Sequence, residues 1–481
     1  MTSQPYNLST SKPHYMKKTL LALLFAGAPV LMTAQTAAGG ISPEMLAQIQ
    51  SKQVATAEFD KALRNALSQN SINELATPLY NPAIGDTYFS HKVESKGITD
   101  QQSSGRCWLF TGLNVMRAKA IAKFNLGSFQ FSQSYPFFWD QLEKSNLFLQ
   151  AVIDNAKKPM DDKLVEWLFQ HPLSDGGQFT GVQDIISKYG VVPADVMPES
   201  FTANNTSRMA SIISLKLREY GLALRAAVEK GAKKAEIESM KTEQLATIYH
   251  ILSVCLGEPV KEFTWTRKDA AGKPVETKKY TPLSFYQEFV GVDLKKSYVM
   301  IMNDPTREYY KTYTIDMDRH QYDGDNWTFV NVPMKDLKDM AIASIKDSTM
   351  MYYSCDVGKY LNTKTGILSM SNFDYESLFG IDFPMTKADR IRTFASASSH
   401  AMTLMAVDLD ENGNPKKWMV ENSWGATSGH HGHLIMTDEW FDEYTFRLVV
   451  DKKYVPAKIL DLLKMKPILL PAWDPLFKGE E

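Results

Sequence analysis

Residues 396–425 read SASSHAMTLMAVDLDENGNPKKWMVENSWG, and this stretch limits the possible folds more than any other. Met402, Leu404 and Ala406 alternate with Thr403 and Met405, the period-two pattern of a strand. Asn412-Gly413, with Pro415 just beyond, is a turn signal, and KKWMVENSWG then resumes strand character. Two strands joined by so short a turn pair antiparallel, and the numbers of paired residues have a constant sum. A turn centred near residue 412 sets His400 opposite residues 422 to 424, and position 422 is an asparagine. An asparagine amide oxygen can hold an imidazole in one tautomer and one orientation. The alternative for His400 is a hydrogen-bonded histidine at a strand end with no further role.

A second stretch offers a partner for such a histidine. In QQSSGRCWLFTG, residues 101–112, the segment Thr99 to Arg106 lacks apolar periodicity and reads as a loop. Beyond it, Leu109, Leu113, Met116 and Ile121 recur at helical spacing. Cys107 therefore falls in the first turn of a helix, where unpaired N–H groups and the helix dipole carry partial positive charge. Arg106 adds a full charge next door, and both favour thiolate over thiol. A buried helix-start cysteine is the alternative. Cys255, in IYHILSVCLG, and Cys355, in MMYYSCDVG, lie in apolar stretches and read as small core hydrophobes. Three cysteines in 481 residues leave at least one free within the chain, and they are too few for a disulfide framework.

The N-terminus reads as a separate segment. Met16-Lys17-Lys18 is followed by the 13-residue apolar run Leu20 to Met32 and then by small residues, the order of a secretory signal peptide cut near Ala34 or Ala38. This predicts an exported protein, periplasmic or secreted. An uncleaved anchor is the alternative, although 13 residues fall short of a bilayer's thickness. Translation could start at Met16 rather than Met1. Without residues 1–34 the chain keeps 50 basic and 55 acidic residues, a net charge near −5. That balance argues against a nucleic-acid partner.

Together these segments resemble the papain-like cysteine peptidases. QQSSGRCWLF is similar to their nucleophile segment, and SHAM and ENSWG to their histidine and asparagine segments, in the same order. Asp175 to Gln178 (DGGQ), YGVVPADVMPES, MTDEWFDEY and LPAWDP point within that group to the bleomycin hydrolase and aminopeptidase C branch. The resemblance implies an α+β, papain-like two-subdomain fold, with a helical left part, a β-barrel-like right part, a large helical insertion and a C-terminal arm. It implies Cys107 as nucleophile, His400 as its proton partner, Asn422 as the group orienting His400, and Gln101 as oxyanion donor. Trp424 would cover the His400–Asn422 hydrogen bond, and Gly176 and Gly177 would bind substrate backbone as an extended strand. A plain turn is the other reading of the two glycines. The arm, ending in Lys478, Gly479, Glu480 and Glu481, would lie in the cleft and restrict cleavage to N-terminal residues. Its end is bulkier and more acidic than the small residues usual in the branch. No cofactor is implied, the substrates would be peptides, and the assembly would be a homo-hexamer.

The boundaries that follow are a signal peptide at 1–34, a lead-in at 35–80, a helical subdomain at 81–200 and a mainly helical insertion at 201–345. A β-rich subdomain at 346–466 and the arm at 467–481 complete the chain. Cys107 and His400 are 293 residues apart, well beyond the usual papain-like separation, which is why an insertion is required. His430, His431 and His433 cluster in SGHHGHL, but they follow ENSWG in a loop entering a strand, and no metal site is assigned to them. A secreted endopeptidase whose arm leaves the cleft open is the competing enzyme reading. A scaffold that has lost activity is the competing non-enzyme one, and the intact Gln101, Cys107, His400 and Asn422 speak against it.

Overall fold

The computed structural model describes residues 39–52, 57–81, 83 and 86–478. Residues 1–69 and 70–481 form two separate units. In the first, the helix Pro43–Ser51 is capped by Ser42 and buries none of its residues. Everything below concerns the second.

Among the described residues, twelve strands join one mixed sheet. At its centre Thr445–Asp451, Met351–Cys355, His400–Leu409, Pro415–Glu421 and His433–Thr437 run antiparallel in that spatial order. Parallel pairs flank them: Tyr298–Met302 with Thr328–Asn331, and Ile468–Leu470 with Lys311–Ile315. The sheet and its helices make the protein a mixed α/β molecule.

The strand His400–Leu409 lacks the half-exposed face that its alternation suggests: Thr403 and Met405 are as buried as Met402 and Leu404. The helix Cys107–Phe124 covers one face and the helix Met334–Lys346 the other. A strand covered on both faces is selected for burial at every position. One hydrophobic core lies with the helices Cys107–Phe124, Ser134–Asp154 and Phe179–Tyr189, and a second with Met334–Lys346 and Asp438–Tyr444.

Residues 207–256 form two long helices, Ser207–Glu229 and Lys234–Leu256, followed by the hairpin of Phe263–Lys268 with Pro274–Tyr280. Further along the chain Tyr298–Met302, Lys311–Ile315 and Thr328–Asn331 are strands of the main sheet. The three cysteines are free: Cys355 is fully buried in its strand, whereas Cys107 and Cys255 keep part of their surface.

Candidate active site

The hairpin turns at residues 410–414, where Asp410 Oδ1 accepts the Asn412 and Asn414 N–H groups and Gly413 takes φ +83°. Thr403 pairs with Glu421 and Leu404 with Val420, so the residues of a pair sum to 824. Extended to the strand's start, that register carries His400 to the level of Trp424, two residues beyond Asn422. There His400 Nε2 lies 2.8 Å from Asn422 Oδ1. The Trp424 ring stacks on the imidazole, centroids 4.8 Å apart. It therefore lies against His400.

Cys107 is the first residue of its helix. The N–H of Ala401, the residue after His400, points at its sulfur, and so does the N–H of Trp108. The first residue of the helix thus meets the second residue of the strand at the helix–sheet contact. Gln101 joins them from the loop: its N–H donates to Ser423 O (2.8 Å), and its side-chain oxygen accepts the Ser423 hydroxyl (2.6 Å). Gln101 Nε2 donates one hydrogen to Ser104 O (2.6 Å), which leaves its second amide hydrogen for another acceptor.

Arg106 does not act as the sequence suggests. Its side chain is wholly buried, paired with Glu199 at 2.7 Å and set between the rings of Phe110 and Phe137. Its charge is spent inward. Burial pushes the Cys107 thiol up to about 11, against the pull of the Ala401 and Trp108 N–H groups, and burial pulls His400 down to about 4. A lone charge on either group is therefore penalised.

The DGGQ segment is clamped to the cysteine loop. Asp175 Oδ2 accepts the Gly105 N–H (2.7 Å) and the Thr206 hydroxyl, while Asp175 O accepts Trp108 Nε1 (3.0 Å). Lys144 Nζ donates to Gly176 O (2.5 Å). A side chain at position 177 would collide with the His320 ring, and so would one at position 181. Both glycines are thus required by His320, whatever else Gly177 binds. His320 Nδ1 lies 2.5 Å from Asp140 Oδ1, and Asp140 Oδ2 lies 3.1 Å from Lys144. No sequence signal finds this buried group, because His320 and Asp140 are 180 residues apart in chain.

The C-terminal segment returns to the same place. Arg307 pairs with Asp474, and Arg447 donates to Leu476 O (2.6 Å). Phe477 packs on Trp167 and shares a cavity wall with Gly176 and Gly177. The Lys478 side chain and residues Gly479, Glu480 and Glu481 lie outside the described residues.

Comparison with known proteins now has a site to refer to. Residues 40–477 match the model of the Peptidase C1-like family. The chain is 44% identical to mouse bleomycin hydrolase over 398 residues, covering 81% of this chain and 88% of the relative. It is 37% identical to aminopeptidase C of Lactobacillus delbrueckii subsp. lactis over 417 residues, covering 86% and 92%. The crystal structure of PepW from Lactobacillus rhamnosis superposes with a TM-score of 0.88 at 36% identity, covering 91% of this chain and 99% of the other. These relatives correct the expectation of export: bleomycin hydrolase and aminopeptidase C are cytosolic enzymes, and the leader on which that expectation rested, residues 1–34, lies outside the described residues. Among the described residues no helix is long and apolar enough to cross a membrane. With the family model spanning nearly all of the described chain, this protein belongs to the Peptidase C1-like family and is a cysteine peptidase.

Proposed function

We propose that the protein is an aminopeptidase that removes N-terminal residues from peptides through a thioester on Cys107. The Cys107 proton moves to His400 as the sulfur attacks the carbonyl carbon. The oxyanion is held by the free amide hydrogen of Gln101 and the Cys107 N–H. As the C–N bond breaks, His400 returns the proton to the leaving amine. Water then attacks the thioester, giving its proton to His400, and the thiol is restored. Asn422 keeps His400 in the required tautomer, and Trp424 shields that hydrogen bond. Residues 81–200 and 346–466 are the two papain-like parts that face each other across the cleft.

The observation that carries the exopeptidase reading is Phe477 on the wall that holds Gly176 and Gly177. A segment anchored at Asp474 and Leu476 occupies space that an endopeptidase would leave for substrate. The nucleophile is tested by an epoxide thiol reagent. Alkylation confined to Cys107, with loss of activity in proportion, is expected. Full activity after stoichiometric labelling of Cys107 would reject it.

A further inference from the structure

The cavity beside Gly176 and Gly177 has a volume of about 90 Å³ and opens to solvent, room for a side chain rather than for a whole small ligand. Its walls are Leu147 and Phe148 from the helix Ser134–Asp154, Trp167 from the helix Lys163–Gln170, then Leu173, Met317 and Phe477. Lys144 and Arg319 are the cations in its lining. The carboxylate on the wall, Asp318, is 2% exposed, accepts Gln178 Nε2 at 3.0 Å and faces the charge of Arg447.

Met317 is held at φ +63°, a left-handed conformation costly for a residue with a long side chain. Its turn is fixed at both ends. The Arg319 N–H donates to Met317 O (2.8 Å), and the Asp316 N–H donates to Leu470 O (2.9 Å) in the returning C-terminal segment. The strain thus sets a thioether on the wall of a cavity that is also lined by Gly176 and Gly177, in the DGGQ segment clamped to the cysteine loop. Met317 packs partly against the hydrophobic core and keeps part of its surface exposed.

We infer that this cavity is the subsite for a large apolar side chain on the N-terminal residue of the substrate, with Met317 as its specificity-determining residue. The inference rests on the aminopeptidase reading and adds the substrate class to it. A phenylalanyl, leucyl or methionyl side chain would lie against Trp167, Leu173 and Met317. A lysyl or arginyl one would meet Lys144 and Arg319, while Asp318, whose Oδ1 accepts Gln178 Nε2, already faces the charge of Arg447.

The test uses the full chain and a series of aminoacyl-fluorophores differing only in the amino acid: Phe, Leu, Met, Ala and Lys. The expected kcat/KM for Phe and Leu exceeds that for Ala by roughly 10- to 100-fold, with Lys at or below Ala. Met317→Asn keeps a residue type that tolerates the left-handed conformation but makes the wall polar. It should lower the Phe-to-Ala ratio about tenfold. Leu173→Phe narrows the cavity and should lower the same ratio by another route, so a misfolded first variant does not end the test. A flat or lysine-first ranking overturns the inference, as does a ratio unmoved in both variants. A Leu173→Phe enzyme that keeps its ranking but begins to cut acetylated substrates would show that the cavity seats the chain's own end instead. Acetylated substrates cut well by the unaltered enzyme would sink the exopeptidase reading, while the ranking by side chain would still judge the pocket.

Discussion

Arg117 and Glu421 join the helix that begins at Cys107 to the residue before Asn422, and breaking that pair is the sharpest structural perturbation available. Arg117 Nη2 lies 2.6 Å from Glu421 Oε1, with side chains 2% and 0% exposed, and also donates to Gly97 O. The Ser95 hydroxyl donates to the other carboxylate oxygen. Arg117→Met removes one charge and leaves the other buried, a loss worth about 3–5 kcal/mol. With an unfolding entropy of about 2.1 cal/mol/K per residue, the unit of residues 70–481 gives about 0.9 kcal/mol/K, so Tm should fall by about 3–6 °C. Burial already holds the Glu421 carboxyl above its ordinary value even with Arg117 beside it, and the variant raises it further. The folded state then keeps a proton that the unfolded chain has released. Stability therefore falls as pH rises through that window, and the deficit shrinks as pH drops toward 4.5. Adding Glu421→Leu should return most of the loss, because an apolar pair of similar volume carries no unpaired charge. Calorimetry of the two single variants and the double variant decides it. A Tm change under 1 °C in Arg117→Met, or a double variant worse than both singles, would refute the reasoning.

Two further outcomes are expected. Asn422→Ala removes the hydrogen bond to His400, about 1.5–3 kcal/mol when His400 is charged, so kcat should fall about 10- to 100-fold with KM nearly constant. A matching rise in KM would assign Asn422 to binding instead. Lys387 is buried, donates to Asn303 Oδ1, Asp442 O and Thr445 O, and is pulled down to about 7 by burial. Between pH 7 and 10 the unfolded chain binds that proton and the folded protein does not, so this group makes stability rise with pH, by at most the order of 5 kcal/mol. Lys387→Met should flatten that slope in denaturant titrations at pH 7 and 9.5.

Much of the site was legible because its pieces are local. The turn at Asn412-Gly413 and the alternation around it fixed which residues face each other, and Cys107 announced itself where a polar loop became an apolar helix. The direction of a side chain was not legible. Arg106 sits next to Cys107 in sequence, yet its charge goes to Glu199, which only the packed fold brings near. His320, Asp140 and Met317 escaped for the same reason: their neighbours come from distant segments, and nothing in their own surroundings marks them. The burial of Thr403 was also hidden, since alternation tells which residues share a face but not that both faces are covered. The N-terminal apolar run shows the converse, a strong local pattern that invited an export reading its relatives do not share.

The central claim is that the returning segment makes this peptidase an exopeptidase. The direct measurement pairs an aminoacyl-fluorophore bearing a free amine with the same compound acetylated. Both are cut under reducing conditions by the full chain and by a chain ending at Asp474, which lacks Leu476 and Phe477. The account predicts that the full chain cleaves only the free-amine compound and that removal of residues 475–481 opens cleavage of the acetylated one. Efficient cleavage of the acetylated compound by the full chain would contradict it and identify an endopeptidase.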